Sequence, residues 1–405
     1  MRNATPKILG LAVTLAVTAG EASAQIRTLD AAVARGDASG SFYLRYEAVD
    51  EDNALQNADA LTLRSALKYT TAPLKGFTGV LEFEDVRIVG QGDYAVPLSR
   101  YNTGKYSVIN DPETTEINQS YVQYISGAFM ARAGRQDIRF DNQRFIGAVP
   151  WRQDYQTFDA LSLEYKKDAE KTYTLNYHYL ANRERIFAQD SDIESKDHLL
   201  HGFINTAIGT VTGYAYLLEE DITLDNGLDT YGVRLNGTRS LGGYDWTYLA
   251  EYATQESTRG LAVFDADYYS AEGGVTIKGT TAKLGMESLG SDNGAYGFST
   301  PLATLHAFQG WADQFLVTPN QGIEDVYLNL SRPILGGTAT FIYHDYSADE
   351  STPGIDDLGD EYNLQWIKPF RNNYQFGVKY ADYSKGDIAA KADKQIFWTW
   401  LQMTF

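Results

Sequence analysis

Residues 397–405 read Phe-Trp-Thr-Trp-Leu-Gln-Met-Thr-Phe, and their alternation decides what kind of fold the chain adopts. In an extended strand successive side chains point to opposite faces, so Phe397, Thr399, Leu401, Met403 and Phe405 form one stripe. A closing strand with an apolar stripe and a terminal aromatic suits a sheet whose outer face meets lipid. The same frame turns Trp398 and Trp400 inward, an unusual place for two indoles, and a local bulge would reset the register there.

Upstream, segments of about ten residues repeat this alternation, the length and period of a tilted membrane-spanning strand. Clear cases are 42–49, 61–69, 77–83, 173–180, 231–237, 244–252, 268–277, 326–330, 362–366 and 374–380. With weaker runs near 116–125, 128–135, 158–165, 198–207, 210–218, 281–287 and 338–344, the total is about eighteen strands, with sixteen as the alternative. The links alternate in length. Short ones near 71–76, 126–127, 166–171, 207–210, 239–243, 278–281, 331–336 and 368–373 are separated by long ones, including 89–115, 136–157, 255–266, 288–324 and 346–360. A soluble β-sandwich has no reason to alternate this way. The pattern predicts an all-β, transmembrane, antiparallel up-and-down β-barrel in a bacterial outer membrane, with short periplasmic turns and long extracellular loops.

Composition agrees. With 29 Tyr and 18 Phe against only 10 Pro, and no cysteine to staple a small core, the chain favours strands and excludes disulfide or thiolate-metal scaffolds. No stretch reaches the roughly 20 apolar residues of a spanning helix. Residues 1–24 read as a signal peptide: Arg2 and Lys7 precede an apolar run, and Ala22-Ser23-Ala24 precedes the expected cleavage point. Residues 25–40 are then a periplasmic lead-in with a short amphipathic turn at Leu29, Ala32 and Val33, and 41–405 the barrel. A net charge of −19 makes nucleic acid an unsuitable partner. The acidity concentrates in long loops (Asp50-Glu51-Asp52, Glu219-Glu220-Asp221, Asp356-Asp357), while the short turns carry Lys75, Lys166, Lys167, Lys171, Arg239, Lys278, Arg332, Lys368 and Arg371. Outer-membrane lipid and lipopolysaccharide are therefore partners, and the final strand is the handle for the barrel-assembly machinery.

Two long links are chemically distinctive. Between residues 131 and 159, Arg132, Arg135, Arg139, Arg144 and Arg152 are interleaved with Asp137, Asp141, Asp154 and Asp159. Guanidinium groups suit carboxylate and phosphate and stay charged, so the stretch either faces an anion or neutralises itself. Residues 296–325 are too apolar for a solvated loop: Leu302, Leu305, Phe308, Trp311, Phe315 and Leu316 need burial. The segment either lines the pore or forms a lid. Alternation also assigns lumen-facing charges: Arg45, Arg64, Lys68, Arg132, Arg234, Lys283 and Lys379 against Glu47, Glu82, Glu84, Glu164, Glu251, Glu272, Glu287 and Glu361. The two sets nearly balance, so the interior is water-filled or cross-braced.

No catalytic triad, cofactor motif or metal-ligand spacing stands out around His178, His198, His201, His306 and His344, so neither enzyme, cofactor nor metal is expected. Asp225-Asn226-Gly227 and 291–294 read as turns, with calcium as the other reading.

The stretch 134–147, Trp151-Arg152-Gln153 with Thr157-Phe158-Asp159, and Thr300-Pro301-Leu302-Ala303-Thr304-Leu305-His306 through Gly310-Trp311-Ala312-Asp313 resemble the alginate-export family of outer-membrane barrels. That resemblance implies an eighteen-stranded porin whose inward loops and arginines guide an anionic saccharide or small anion. The candidate pore residues are Arg45, Arg64, Arg132, Arg135, Arg139, Arg144, Arg152, Asp137, Asp141, Asp154, Asp159, His306, Trp311 and Asp313. A barrel plugged by its loops, structural or adhesive, is the alternative.

Overall fold

The computed structural model describes residues 26–405 except 168–171, 188, 190 and 222–225. The expected signal peptide, Lys171 and Asp225 lie outside the described residues. The chain opens on a six-residue helix, α1 (Leu29–Ala34), with Ala32 buried and Leu29 and Val33 exposed. The first strands are β1 (Asp37–Glu51), β2 (Ala58–Thr70), β3 (Phe77–Asp93), β4 (Thr114–Ser126), β5 (Phe129–Gln136) and β6 (Thr157–Lys167). Then come β7 (Tyr173–Glu184), β8 (Ile193–Thr206), β9 (Gly209–Glu219), β10 (Asn226–Leu241), β11 (Tyr244–Arg259), β12 (Ala262–Ile277) and β13 (Thr280–Leu289). A small hairpin, β14 (Ser291–Asp292) and β15 (Tyr296–Gly297), precedes β16 (Ile323–Ile334), β17 (Gly337–Thr352), β18 (Ile355–Phe370), β19 (Tyr374–Lys385) and β20 (Lys394–Thr404).

All strands except the small hairpin belong to one 18-stranded sheet in which sequence neighbours pair antiparallel, and β1 pairs with β20 to close it. Closure removes the unpaired strand edges that hydrocarbon does not tolerate. Phe397, Leu401 and Phe405 are exposed on the outside, whereas Trp398 and Trp400 are buried inside. The expected bulge is absent: β20 runs in continuous register against both β1 and β19. The indoles stay inward because the interior has something for them to pack on.

The links depart from expectation at two places. Residues 255–266 are paired strand except for a turn at Gly260-Leu261, and β17 and β18 likewise stay together until Thr352 meets Ile355. These two are hairpins standing beyond the membrane rather than open loops. In β11–β12 the pairing is continuous up to the turn, whereas β17–β18 carry register shifts between Tyr346 and Thr352 that break the period. The first strand also begins at Asp37, inside the segment read as a lead-in.

Other long links turn inward, among them the end of the link between β3 and β4, where Ile109 and Asp111 are buried. Residues 137–156, between β5 and β6, and 290–322, between β13 and β16, turn into the barrel and fill its mouth. There Phe298, Leu302 and Phe315 are buried, each a gain of about 1.5–3 kcal/mol over exposure.

Candidate functional site

The two inward loops are joined along their backbones. Gly147 N–H donates to the Leu302 carbonyl (2.8 Å) and Thr304 N–H to the Gln143 carbonyl (3.0 Å). Gln156 Nε2 donates to both the Gly147 and Leu302 carbonyls, at 2.7 and 3.1 Å. Glycine is required where the contact is tightest: a Cβ at Gly147 would overlap Thr304 Oγ1, and one at Gly310, where φ is +79°, would overlap the Glu361 carboxylate. Rings complete the seam, with Phe145 packed among Tyr214, Tyr216, Tyr268 and Phe298.

Charge pairing fixes this seam to the wall. Arg144 Nε lies 2.8 Å from Glu287 on β13 and its Nη atoms reach Thr300 and Gln309 of the other loop, at 3.3 and 3.1 Å. Arg152 pairs with Asp313 and lies 3.5 Å from Glu47 on β1. Arg45 pairs with Glu47 (3.2 Å) and Asp111, and donates to the Trp151 carbonyl. Burial opposes the Arg152 charge, yet the carboxylates of Glu47, Asp313 and Asp111 more than offset it and hold its pKa above the ordinary guanidinium value.

His306 stands at the centre of the seam. Its Nδ1 is 2.7 Å from Asp313 Oδ1 and its Nε2 is 2.6 Å from Lys379 Nζ on β19. A neutral ring satisfies both contacts: Nδ1–H donates to the carboxylate and Nε2 accepts from the ammonium. Burial pushes the His306 pKa down to about 3 despite Asp313. Asp313, which burial alone would push up, is held below the usual carboxylate range by His306 and Arg152. Aromatic faces enclose the lysine: Nζ lies 3.9 Å from the Trp311 ring centroid, 4.1 Å from Trp151 and 5.3 Å from Trp398. Trp151 stacks on His306 with centroids 4.8 Å apart. This is what the inward indoles of β20 pack against. Arg45, Arg152, His306, Trp311 and Asp313, dispersed in sequence, meet here.

The other expected residues are spread over the wall and the first inward loop. Arg64 is on the wall near Glu84 (3.8 Å) and donates to the carbonyls of Arg152 and Gln153. Asp141 meets His201 Nε2 at 3.0 Å, beside a Phe140 ring stacked on that imidazole, and Asp154 is buried. Arg139 bonds to Asp137 (2.9 Å) with 38% of its side chain exposed. Arg132 points inward from β5, donates to Gln123 Oε1 at 3.1 and 2.6 Å and lies over the Tyr121 ring at 4.5 Å. Among the described residues it has no carboxylate partner.

Arg135 and Asp159 are corrections. Gln136 points inward, bonded to Ser162 and the Ala160 carbonyl, so its strand neighbour Arg135 points out. On the outer face Arg135 pairs with Asp159 at 3.0 Å and with Glu184 at 2.5 Å. A second correction concerns pairing: Arg144 and Arg152 are neutralised by Glu287, Glu47 and Asp313 rather than by the interleaved aspartates. Asp111 had no sequence signal at all, yet it accepts from Arg45 and from Gln153 N–H (2.9 Å).

A closed eighteen-stranded antiparallel barrel with lipid-facing apolar rows, short turns at one end and inward-folded loops at the other is an outer-membrane porin-type channel. The family described as Alginate export matches residues 35–285, and the chain belongs to that family. Solved structures agree on the fold. OccAB4 of Acinetobacter baumannii superposes with a TM-score of 0.72 at 13% identity, covering 91% of this chain and 98% of that one. OccK9 (OpdG) of Pseudomonas aeruginosa gives 0.72 at 12% identity, covering 92% and 99%. OpdK of Pseudomonas aeruginosa with vanillate gives 0.67 at 11% identity, covering 91% and 98%. No curated protein matches the chain by sequence.

Proposed function

We propose that this channel passes small anionic solutes, acidic saccharides among them, along a water path between the 137–142 segment and the wall of β4 and β5. Arg132 carries the reading. A guanidinium held flat by Tyr121 and Gln123, with no carboxylate partner among the described residues, keeps its donors available to a passing carboxylate. Arg139, exposed beside Asp137, supplies a second and weaker contact. Low-dielectric walls focus such fields and raise the local anion concentration. The family's description names alginate, an acidic polysaccharide, and OpdK was solved with vanillate, an aromatic carboxylate. Both support an anionic cargo. The test is single-channel conductance with anion and cation salts, wild type against Arg132→Gln. Anion-preferring current that falls in the variant supports the reading, and a barrel that conducts neither ion supports the plugged alternative, which the buried seam favours.

We also read β20 as the segment handled by the assembly machinery. Phe405→Asp is expected to lower the yield of heat-modifiable barrel. A normal yield would remove the terminal aromatic from that role.

A further inference from the structure

The outer wall carries a furrow of about 490 Å³ across β16 to β19. Register explains it. Arg332, Ala339, Trp366 and Val378 lie side by side on one outward row, and Leu330, Phe341, Leu364 and Tyr380 on the next. The methyl of Ala339 sits between two long side chains, so the surface dips there while the larger residues form its banks. The lining is almost wholly apolar.

Cations stand at one end of this furrow. Arg332 is exposed, two residues before the end of β16, and Lys368 shares the outward face of β18 with Trp366, its Nζ 5.9 Å from the indole centroid. Neither has an ion-pair partner among the described residues. Both lie beside the Leu335-Gly336 turn, at the short-turn, periplasmic end. A basic side chain there reaches headgroup height by extending along its own stem. A second lipid-facing furrow, of about 390 Å³ around Ala250 and Ala271, has no cation in its lining. Apolar shape and charge coincide in the first furrow and not in the second.

We propose that the β16–β19 furrow is a binding site for an anionic glycerophospholipid of the periplasmic leaflet, one acyl chain lying over Ala339 and the phosphate held by Arg332 and Lys368. The apolar trough selects a chain, and the two cations select a net negative headgroup over a zwitterionic one. Juxtamembrane basic residues each favour anionic lipid by about 1 kcal/mol, or roughly fivefold.

The test uses the whole purified barrel in native mass spectrometry, with phosphatidylglycerol and phosphatidylcholine of identical chains offered at equal concentration. Wild type is expected to retain one phosphatidylglycerol in preference by about fivefold or more. Arg332→Gln with Lys368→Gln should abolish the preference while general lipid adducts persist. Ala339→Leu should fill the trough and remove the retained lipid, with heat-modifiable mobility reporting that each variant folds. If Ala339→Leu does not fold, the double charge variant decides alone. Equal retention of the two lipids by wild type, an unchanged preference in the charge variant, or a second copy of the chain occupying this face would each overturn the proposal.

Discussion

Residues 137–142 and 144–156 belong to one loop and carry the same residue type at similar spacing, yet the two halves do opposite things. In the second half Arg144 and Arg152 are buried and neutralised by wall and loop carboxylates. In the first, Arg139 stays exposed and, among the described residues, its ion-pair partner is Asp137, two residues away. The difference comes from what the wall supplies. Where β1 and β13 present Glu47 and Glu287, a guanidinium becomes a brace. Where β4 and β5 present Gln123, Tyr121 and Arg132, the wall offers Arg132 no carboxylate partner among the described residues, and Arg139 is left with its loop neighbour Asp137. An arginine count therefore says little about a pore until its neighbours are known.

The strongest way to break this comparison is Arg152→Ala. It leaves Asp313, Glu47 and Asp111 facing one another with one cation fewer, and removing one partner of a buried pair costs about 3–5 kcal/mol. The loss should appear as faster hydrogen exchange and proteolysis in 298–315 while heat-modifiable mobility of the barrel persists. Arg139→Ala, on the exposed half, should change loop protection by less than about 1 kcal/mol. Equal effects from the two variants would erase the distinction.

Acid should weaken the braced half next. The folded pKa of His306 lies below its unfolded value, so its stabilisation is present above about pH 6.5 and is lost as pH falls toward about 3. Asp313 is depressed in the same sense and adds its loss only below the usual carboxylate range. Lowering pH from 7 to 5 should cost the seam about 2 kcal/mol. Hydrogen exchange of 302–313 across that range, with His306→Gln as a pH-insensitive comparison, measures it; stronger protection at pH 5 would contradict the assignment. Deleting residues 302–316 removes the seam's centre and is read by conductance instead: it should rise if the braced loop narrows the path, and an unchanged value would make it a lid only.

Parity explains both what was legible in the sequence and what was not. Period-two alternation placed the outward stripe of β20, the inward indoles, and lumen pairs such as Arg234 with Glu251 (2.6 Å) and Lys283 with Glu272 (2.8 Å). It failed where it was not applied: Arg132 and Arg135 are three residues apart on one strand and so face opposite sides, although both read as members of one charged loop. It was also silent in the hairpin extensions of β11–β12, where apolar residues such as Val263 and Phe264 fall on both faces, and of β17–β18, where register shifts between Tyr346 and Thr352 break the period. Loop-to-wall contacts such as Asp111 with Arg45 join residues 66 apart, and no local pattern encodes them. Trp151, His306 and Lys379 come from three separate segments, and contacts distant in sequence, the close approach of Gly310 to Glu361 and the Arg152–Asp313 pair among them, bring their neighbourhood together.

The reversal potential across a salt gradient tests the central claim most directly. Wild type is expected to prefer anions, and Arg132→Gln with Arg139→Gln should move the reversal potential toward the unselective value while the folded barrel and the braced seam remain intact. A wild-type channel that prefers cations, or a folded double variant with unchanged selectivity, would contradict it.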